Sequence, residues 1–285
     1  MSKRRFLTLL LTASAVLLPA AVRADDGETV RPVFSAYTLE AGSAHIADTY
    51  LTPLKYNGQH FGLDYQRWQA MKFDPQRWVM QLDTRLTLNH TVNPAGNATM
   101  WDAMLEFRWG LMRRWRLPQG FSAGIGGSAS ISGGALYLGR NGNNPVSAKA
   151  AFTVNATGYA AWNGTVLGRP LTLRYQPVLP VAGVFFSPDY GELYYEIYLG
   201  NHSGLAHFAW WGNYFMLDNH LTADLSLGGT SLRLGYSGRI FSSKVNDIVT
   251  HVFTHAFVVG ISGEWMSLNP RKGLSADARI ISATY

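Results

Sequence analysis

The chain has 285 residues, of which 47% are hydrophobic, 13% are aromatic and 15% are charged. It contains no cysteine, which excludes disulfides, thiolate metal sites and cysteine nucleophiles. A soluble domain usually carries about 25% charged residues, so this charge-poor and aromatic-rich composition is typical of a barrel that spans an outer membrane.

Residues 1–24 have the pattern of a secretory signal peptide. Three basic residues at 3–5 precede an apolar run over 6–22, and small residues around Ala24 suit a signal peptidase. We therefore expect a mature barrel domain over 25–285. Removing four positive charges with the signal lowers the net charge from +6 to +2, so no nucleic-acid partner is expected.

Beyond the signal, segments of alternating apolar and polar residues follow one another, as in β-strands. No apolar run of 18 residues appears among them, so a helical membrane protein is not expected. The segments lie over 32–41, 62–71, 78–90, 101–111, 121–138, 146–162, 171–177, 191–199, 206–216, 221–227, 230–240 and 249–265. They predict an all-β fold, a transmembrane antiparallel up-and-down β-barrel of about 12 strands.

Three hairpin turns predict how the strands pair. The dipeptides at 163–164 (Asn-Gly) and 228–229 (Gly-Gly) favour two-residue turns, and 94–97 suits a four-residue loop. Folding there sets polar residues opposite polar ones and apolar residues opposite apolar ones. The predicted pairs include Asp83–Arg108, Arg85–Glu106, Asp224–Arg233, Thr153–Arg174 and Asn155–Thr172.

The polar face of these strands is predicted to line the lumen, and the apolar face to meet lipid. A secreted sandwich is the alternative; export and aromatic residues near strand ends favour the barrel. Those aromatic residues are Trp68, Trp78, Trp109, Trp162 and Trp265. The predicted lumen charge network comprises Asp83, Arg85, Glu106, Arg108, Arg174, Glu192, Glu196, Asp224 and Arg233. The predicted outward residues are Leu82, Leu86, Leu105, Phe107, Leu173, Leu232 and Leu234.

The lengths of the links predict which end of the barrel is which. If both termini are periplasmic, the turns at 163–164 and 228–229 and a compact turn at 200–204 fall on the periplasmic side. Longer links at 45–57 and 181–189 then fall outside, as is usual for such barrels.

Candidate catalytic groups are few, and none is assigned a role. Glu192 and Glu196 lie about 13 Å apart on a strand, too far for a glycosidase pair. His202 and Ser203 are adjacent and would point to opposite faces of a strand. No cofactor is predicted.

Two further pairs carry weaker signals. Ser43 and His45 have the two-residue spacing that places side chains on one face, but they are expected to lie in a loop. His251 and His255 on a strand are about 13 Å apart and cannot share a metal ion.

Three stretches, SPDYGELYYEIYLGN, TSLRLGY and HAFVVGISGEW, resemble an uncharacterised family of Bacteroidetes outer-membrane barrel proteins, a domain of unknown function. The resemblance covers most of the mature chain and implies a barrel integral to the outer membrane of a Gram-negative cell. It implies no activity, cofactor or catalytic residue.

The sequence therefore favours a structural or narrow-channel barrel with a polar and largely filled lumen. One alternative is a lipid-modifying hydrolase of phospholipase or lipid A deacylase type, which needs a Ser–His contact on the lipid-facing rim. The other is a small porin, which needs a wet path lined by arginines. The arginines considered for it are Arg85, Arg108, Arg174, Arg233 and Arg239. The expected partners are outer-membrane lipid and the barrel-assembly machinery.

Overall fold

Ten long antiparallel strands close into a barrel in the computed structural model, which describes residues 29–266 and 278–284. Each strand pairs with its neighbours along the chain, and the last of the ten pairs with the first, which closes the ring. The ten are β2 (Val33–Asp48), β3 (Thr52–Ala70), β4 (Trp78–Val92), β5 (Thr99–Arg116), β6 (Phe121–Leu138), β7 (Val146–Val166), β8 (Arg169–Phe186), β10 (Tyr214–Ser226), β11 (Ser231–Val245) and β12 (Ile248–Trp265).

Shorter elements lie outside the ring. Strand β9 (Ala206–Ala209) pairs with the end of β8, and β1 (Thr29–Val30) pairs in parallel with β13 (Arg279–Ile280). A 3-10 turn covers Pro118–Gly120, and one helix, α1 (Tyr194–Tyr198), lies between β8 and β9. No helix within the described ranges is both long and apolar enough to cross a membrane.

The all-β, antiparallel barrel is confirmed, but the count of about 12 strands is wrong, because the closed ring has ten. The segment 191–199 contains α1 instead of a strand, since the Glu196 carboxylate accepts the backbone N–H of Leu193 at 2.8 Å and supports a helical turn. The segments 206–216 and 221–227 are not two ring strands. Asp218 and Asn219, which lie between the two predicted segments, instead continue β10.

One of the three predicted turns is misplaced. Asn163 and Gly164 lie inside β7, and the chain turns instead at Leu167 and Gly168, both with positive φ. The pairs Thr153–Arg174 and Asn155–Thr172 are therefore wrong. From the turn to Asn155 the sum of paired residue numbers changes by an even amount, so the predicted faces survive the slip there, and a bulge between Val154 and Asn155 shifts the register beyond it.

The other two turns give the predicted register. Asp224 lies opposite Arg233 across the turn at 227–230. Across the turn at 93–98, Asp83 lies opposite Arg108 and Arg85 lies opposite Glu106. These three pairings are confirmed, because both turns lie where turn chemistry and strand alternation agree.

The two ends of the barrel differ. The described chain termini and the links 71–77, 117–120, 167–168 and 227–230 lie at one end, here called the terminal end. The other, called the loop end, carries the longest link, 187–205. The compact stretch 200–204 belongs to this link, so its predicted side relative to 228–229 is wrong. The cause is the strand wrongly assigned to 191–199, because each additional strand takes the chain to the opposite end of the barrel.

The long external link expected at 45–57 is also absent from the structure. Strands β2 and β3 instead continue through this stretch and are joined by a short turn at 49–51. Likewise β8 continues to Phe186, so the predicted link at 181–189 starts later than expected.

Along each strand the buried residues alternate with exposed ones, and the exposed ones are mostly apolar. The seven residues predicted to face outward do so, with Leu105 53% exposed. Trp78, Trp162 and Trp265 face outward near the terminal end, whereas Trp68 is fully buried inside, contrary to prediction. The predicted signal peptide over 1–24 lies outside the described residues.

Candidate functional site

A network of buried charges fills the middle of the barrel, and Asp218 of β10 is its centre. Arg108 of β5 donates to Asp218 Oδ2 at 2.8 Å, and Arg239 Nε donates to Asp218 Oδ1 at 2.6 Å. Arg85 Nη1 lies 3.9 Å from the same carboxylate, which is itself fully buried. Since carboxylates and guanidiniums are thus interleaved, the buried charges compensate one another.

Two further carboxylates extend this network. Glu106 is contacted by Arg108 beside it and accepts a 2.6 Å bond from Arg239. Glu40 of β2 accepts a 2.6 Å bond from Arg85 and lies 3.2 Å from His60 Nε2. Both carboxylates therefore have arginine partners on strands other than their nearest neighbours in sequence.

The network is held together by bonds that run across the lumen. Strand β5 carries Arg108 and Glu106, and its ring neighbours are β4 and β6, yet its partners Asp218 and Arg239 lie on β10 and β11. Arg85 of β4 likewise donates to Ser237 of β11 at 2.7 Å. These contacts bridge opposite walls instead of following the sheet.

The predicted hairpin pairs are only partly direct contacts. Asp224 and Arg233 form a bidentate pair at 2.7 and 2.8 Å, and Ser262 donates to the same carboxylate. Asp83 lies 3.7 Å from Arg108. Arg85 and Glu106 face each other across the ladder, but Arg85 bonds to Glu40 instead.

Arg174 lies nearer the terminal end than the charge network around Asp218, among aromatic rings. Its guanidinium carbon is 4.5 Å from the Trp68 ring centroid and 5.0 Å from that of Phe34. Such cation–π contacts suit a desolvated guanidinium.

The structure does not bring Glu192 and Glu196 into the lumen network. Both lie in the link 187–205, where Glu192 accepts 2.7 and 2.9 Å bonds from Asn201 Nδ2 and the Asp189 backbone N–H. Glu196 is exposed and caps α1. Their predicted luminal position is wrong, because the alternation of YYEIY was mistaken for that of a strand.

Sequence reasoning left Glu40, Asp218 and Arg239 out of the predicted network. One signal in the sequence would have placed Asp218 and Arg239 opposite each other. Extending the register of the turn at 228–229 sets Asp218 opposite Arg239, as observed. Nothing local marks Glu40, since its partner Arg85 lies two strands away.

An internal cavity of about 80 Å³ separates the charge network from the loop end. Its walls combine Lys149 and Asp102 with Phe185 and Tyr214. Lys149 is already paired with Asp48 at 2.7 Å. A cavity of this size has room for a few waters. No group of three or more potential metal ligands occurs in the part of the chain that the structure describes.

The link 187–205 and the adjoining turns cover the loop end. Tyr50 donates to the Glu192 carbonyl at 2.5 Å, and Asn144 Nδ2 lies 2.8 Å from the Tyr50 hydroxyl. Tyr194 packs on the same cluster and accepts the Ala148 N–H at 2.6 Å. Burial raises the pKa of the Tyr50 hydroxyl above its ordinary value, so the hydroxyl stays protonated further into alkaline solution.

The described C-terminal residues close the terminal end. Ser282 and Thr284 donate to the Glu264 carboxylate, Thr284 at 2.8 Å. Arg114 donates to the Ser282 carbonyl at 2.6 Å, and Ala283 is buried against the Trp68 cluster. The tail therefore occupies the mouth instead of hanging free of it.

A family model described as Protein of unknown function (DUF3316) matches residues 5–272. The chain belongs to this family. The predicted resemblance to an uncharacterised barrel family is thereby confirmed, while its bacterial group stays an expectation. No curated protein matches the sequence.

Three solved structures similar to this DUF3316 chain each match it with a TM-score below 0.5. The outer membrane protease OmpT from Escherichia coli has 7% identity and a TM-score of 0.45, covering 87% of this chain and 99% of that one. The transport unit of the autotransporter AIDA-I from Escherichia coli has 8% identity and a TM-score of 0.39, covering 92% and 97%. The translocator domain of NalP from Neisseria meningitidis has 12% identity and a TM-score of 0.35, covering 92% and 96%.

The serines and histidines weighed from the sequence lie outside the lumen. His202 and Ser203 are exposed in the link 187–205. Ser43 and His45 lie on β2, contrary to the predicted loop, and point to the outer face. His255 also points outward, from the adjacent strand β12. The outer face therefore carries polar groups near the loop end.

Proposed function

We propose that the chain is an integral outer-membrane β-barrel with a sealed lumen that does not conduct solutes. The contrast between its two faces supports membrane insertion. The outward residues form a mostly apolar wall with tryptophans near the terminal end, and most charged residues on the ring strands point into the lumen. Outer-membrane lipid and the barrel-assembly machinery are the partners that this proposal implies.

The observation that carries the sealed lumen is the set of bonds across it. Arg108 and Asp218 join walls that are not neighbours in the ring, at 2.8 Å, and Arg239 and Glu106 do so at 2.6 Å. A solute path would have to break these charge-assisted bonds in a region of low dielectric. The covered mouths add a second obstruction at each end.

The porin alternative lacks support because its five candidate arginines are engaged. Arg85, Arg108, Arg233 and Arg239 bond to carboxylates, and Arg174 lies against aromatic rings. The hydrolase alternative does not depend on the lumen. It needs serine and histidine on the lipid-facing wall, and β2 carries such a pair.

Planar-bilayer recording tests the proposal. We expect protein that has inserted to give no stepwise current, while an open porin added in the same way does. Fractionation and the heat-dependent gel shift of folded barrels report insertion separately. Regular channel openings by the unmutated protein would overturn the sealed lumen, and a soluble periplasmic product would overturn the barrel in the membrane.

A further inference from the structure

Three polar side chains lie near one another on the outer wall, close to the loop end. Ser43 and His45 lie two residues apart on β2, so both point away from the lumen. Asn57 lies directly opposite His45 on β3. The Nδ1 atom of His45 is 2.7 Å from Asn57 Oδ1.

This hydrogen bond indicates which tautomer the imidazole adopts. An amide oxygen can only accept, so the proton of neutral His45 lies on Nδ1. The Nε2 atom is left with a lone pair and can act as a base. Asn57 thus holds His45 as the third member of a hydrolase triad holds its histidine.

Ser43 is within reach of this base. The Cα atoms of residues i and i+2 in a strand are about 6.6 Å apart, and both side chains lean from the same face. No described residue is hydrogen-bonded to the Ser43 hydroxyl, which leaves it available. A nucleophile–base bond is often long in a resting site and tightens with substrate.

We propose that Ser43 and His45 are the nucleophile and base, and Asn57 the positioning residue, of a serine hydrolase site that cleaves carboxylic esters of membrane lipid. The proposal rests on the membrane insertion proposed above. It does not depend on whether the lumen is sealed.

The wall beside the site explains why the substrate is a lipid. Moving from Ser43 toward the terminal end, the outer face of β2 and β3 becomes apolar, with Leu39 56% exposed and Leu63 52% exposed. An open groove of about 650 Å³ runs there between strands β12 and β4. The groove reaches Leu39, about 13 Å along β2 from Ser43, so a lipid whose ester is held at Ser43 would have the distal carbons of its acyl chain in the groove.

The neighbours of Ser43 supply groups for the ester carbonyl. Gln59 of β3 lies opposite Ser43 on one side, and His255 of β12 lies opposite it on the other. Cross-strand Cβ atoms are about 5 Å apart, so the Gln59 amide can donate to a developing oxyanion. The Tyr236 hydroxyl contacts His255 Nδ1 and fixes that ring.

The reaction balances with water as the only co-reactant. His45 Nε2 takes the proton of Ser43 as Oγ bonds to the ester carbon. The ester C–O bond then breaks, and His45 returns the proton to the departing alcohol. Water, deprotonated by His45, attacks the acyl-serine and releases the carboxylic acid and Ser43.

The test uses the full mature barrel in vesicles of phosphatidylethanolamine and phosphatidylglycerol, with lipid A added in a second arm. Released fatty acid is measured by mass spectrometry, and a fluorophosphonate probe is used to label the nucleophile. We expect S43A and H45A each to lower ester cleavage at least about 100-fold, and S43A to abolish labelling. The arm that releases acid identifies the lipid.

A matched control is available on the same wall. Ser242 also points outward and lies opposite a histidine, His251, on the neighbouring strand. His251 has no asparagine bonded to its ring, so S242A should leave cleavage and labelling unchanged. For Asn57, we expect N57A to lower the rate and N57D, which keeps an acceptor, to restore it with a shifted pH profile.

The experiment distinguishes a failure of membrane insertion from a failure of the hydrolase proposal. A barrel that shows the heat-dependent gel shift but releases no fatty acid in either arm overturns the hydrolase site. So does labelling that survives S43A, or cleavage that S242A removes as strongly as S43A. A chain that never inserts overturns the proposed membrane barrel instead.

Discussion

Among the described carboxylates of the lumen, Asp218 contacts the most arginines. It is fully buried, and three arginines surround its carboxylate. A buried carboxylate in this position holds several cations in place at once. Its removal would leave Arg108 and Arg239 facing each other with less compensating charge.

We therefore expect D218N to lower the free energy of unfolding by about 3–5 kcal/mol, because it leaves buried positive charge uncompensated. Urea unfolding of the detergent-solubilised barrel measures the change. D247N is the control, since Asp247 is exposed in a turn with positive φ, which asparagine tolerates well. Equal stability of D218N and D247N would contradict a structural role for Asp218.

The pair Asp224–Arg233 allows a double-mutant cycle. We expect D224N and R233M each to cost about 3–5 kcal/mol, and the double variant to cost much less than their sum. The reason is that each single change leaves one buried charge, whereas the double change removes both. Strictly additive losses would show that the two side chains act independently.

At the scale of elements, the tail at the terminal end is held by hydroxyl groups. Ser282 and Thr284 both donate to Glu264. We expect the S282A/T284A variant to release the tail, and carboxypeptidase to digest it faster than in the unmutated barrel. Stability of the ring should change little, since all ten ring strands stay paired. Unchanged digestion would mean that Arg114 and the buried Ala283 suffice to hold the tail.

The strands were far more predictable than the links between them. Alternation placed Asp83, Arg85, Glu106, Arg108 and Arg233 on the inward faces of their strands, because a strand in a barrel wall has two chemically different sides. The same rule failed in YYEIY, which is too short for a strand and a helical turn to be distinguished by pattern. It also failed at Asp218, where a polar pair resembles a turn until its partner Arg239 is considered.

The sequence showed the spacing of Ser43 and His45 on the outer wall, but it did not show which residue lies beside them on the neighbouring strand. Ser43 and His45 have the right separation, yet the role of Asn57 depends on the β2–β3 register, which the sequence did not supply. The turn at 49–51 contains no Asn-Gly or Gly-Gly dipeptide, so no turn signal in the sequence predicted this hairpin. Contacts between strands that are not neighbours, such as Arg85 with Glu40, could not be predicted either, because they depend on the register of several hairpins at once.

At the scale of the whole molecule, the proposed closure of the barrel has three layers: the link 187–205, the central charges and the C-terminal tail. We expect a variant truncated before Arg279 to stay non-conducting in planar bilayers, because the bonds around Asp218 still span the lumen. Adding D218N to that truncation should be needed before current appears. Conductance from the truncation alone would locate the barrier in the tail.

The misplaced turn at 163–164 has a consequence for how this barrel can change length. A two-residue turn that moves along the chain changes the sum of paired residue numbers by an even amount, so the side chains between the turn and the bulge at Val154–Asn155 kept their own side of the wall. Deleting Ala223 alone would turn either Asp224 or the first part of β10 toward lipid, unless a bulge absorbs the change. Deleting Thr222 and Ala223 together would preserve both sides. Sequence drift among relatives should therefore add or remove strand residues in twos, and the heat-dependent gel shift of the two deletion variants would reveal that rule directly.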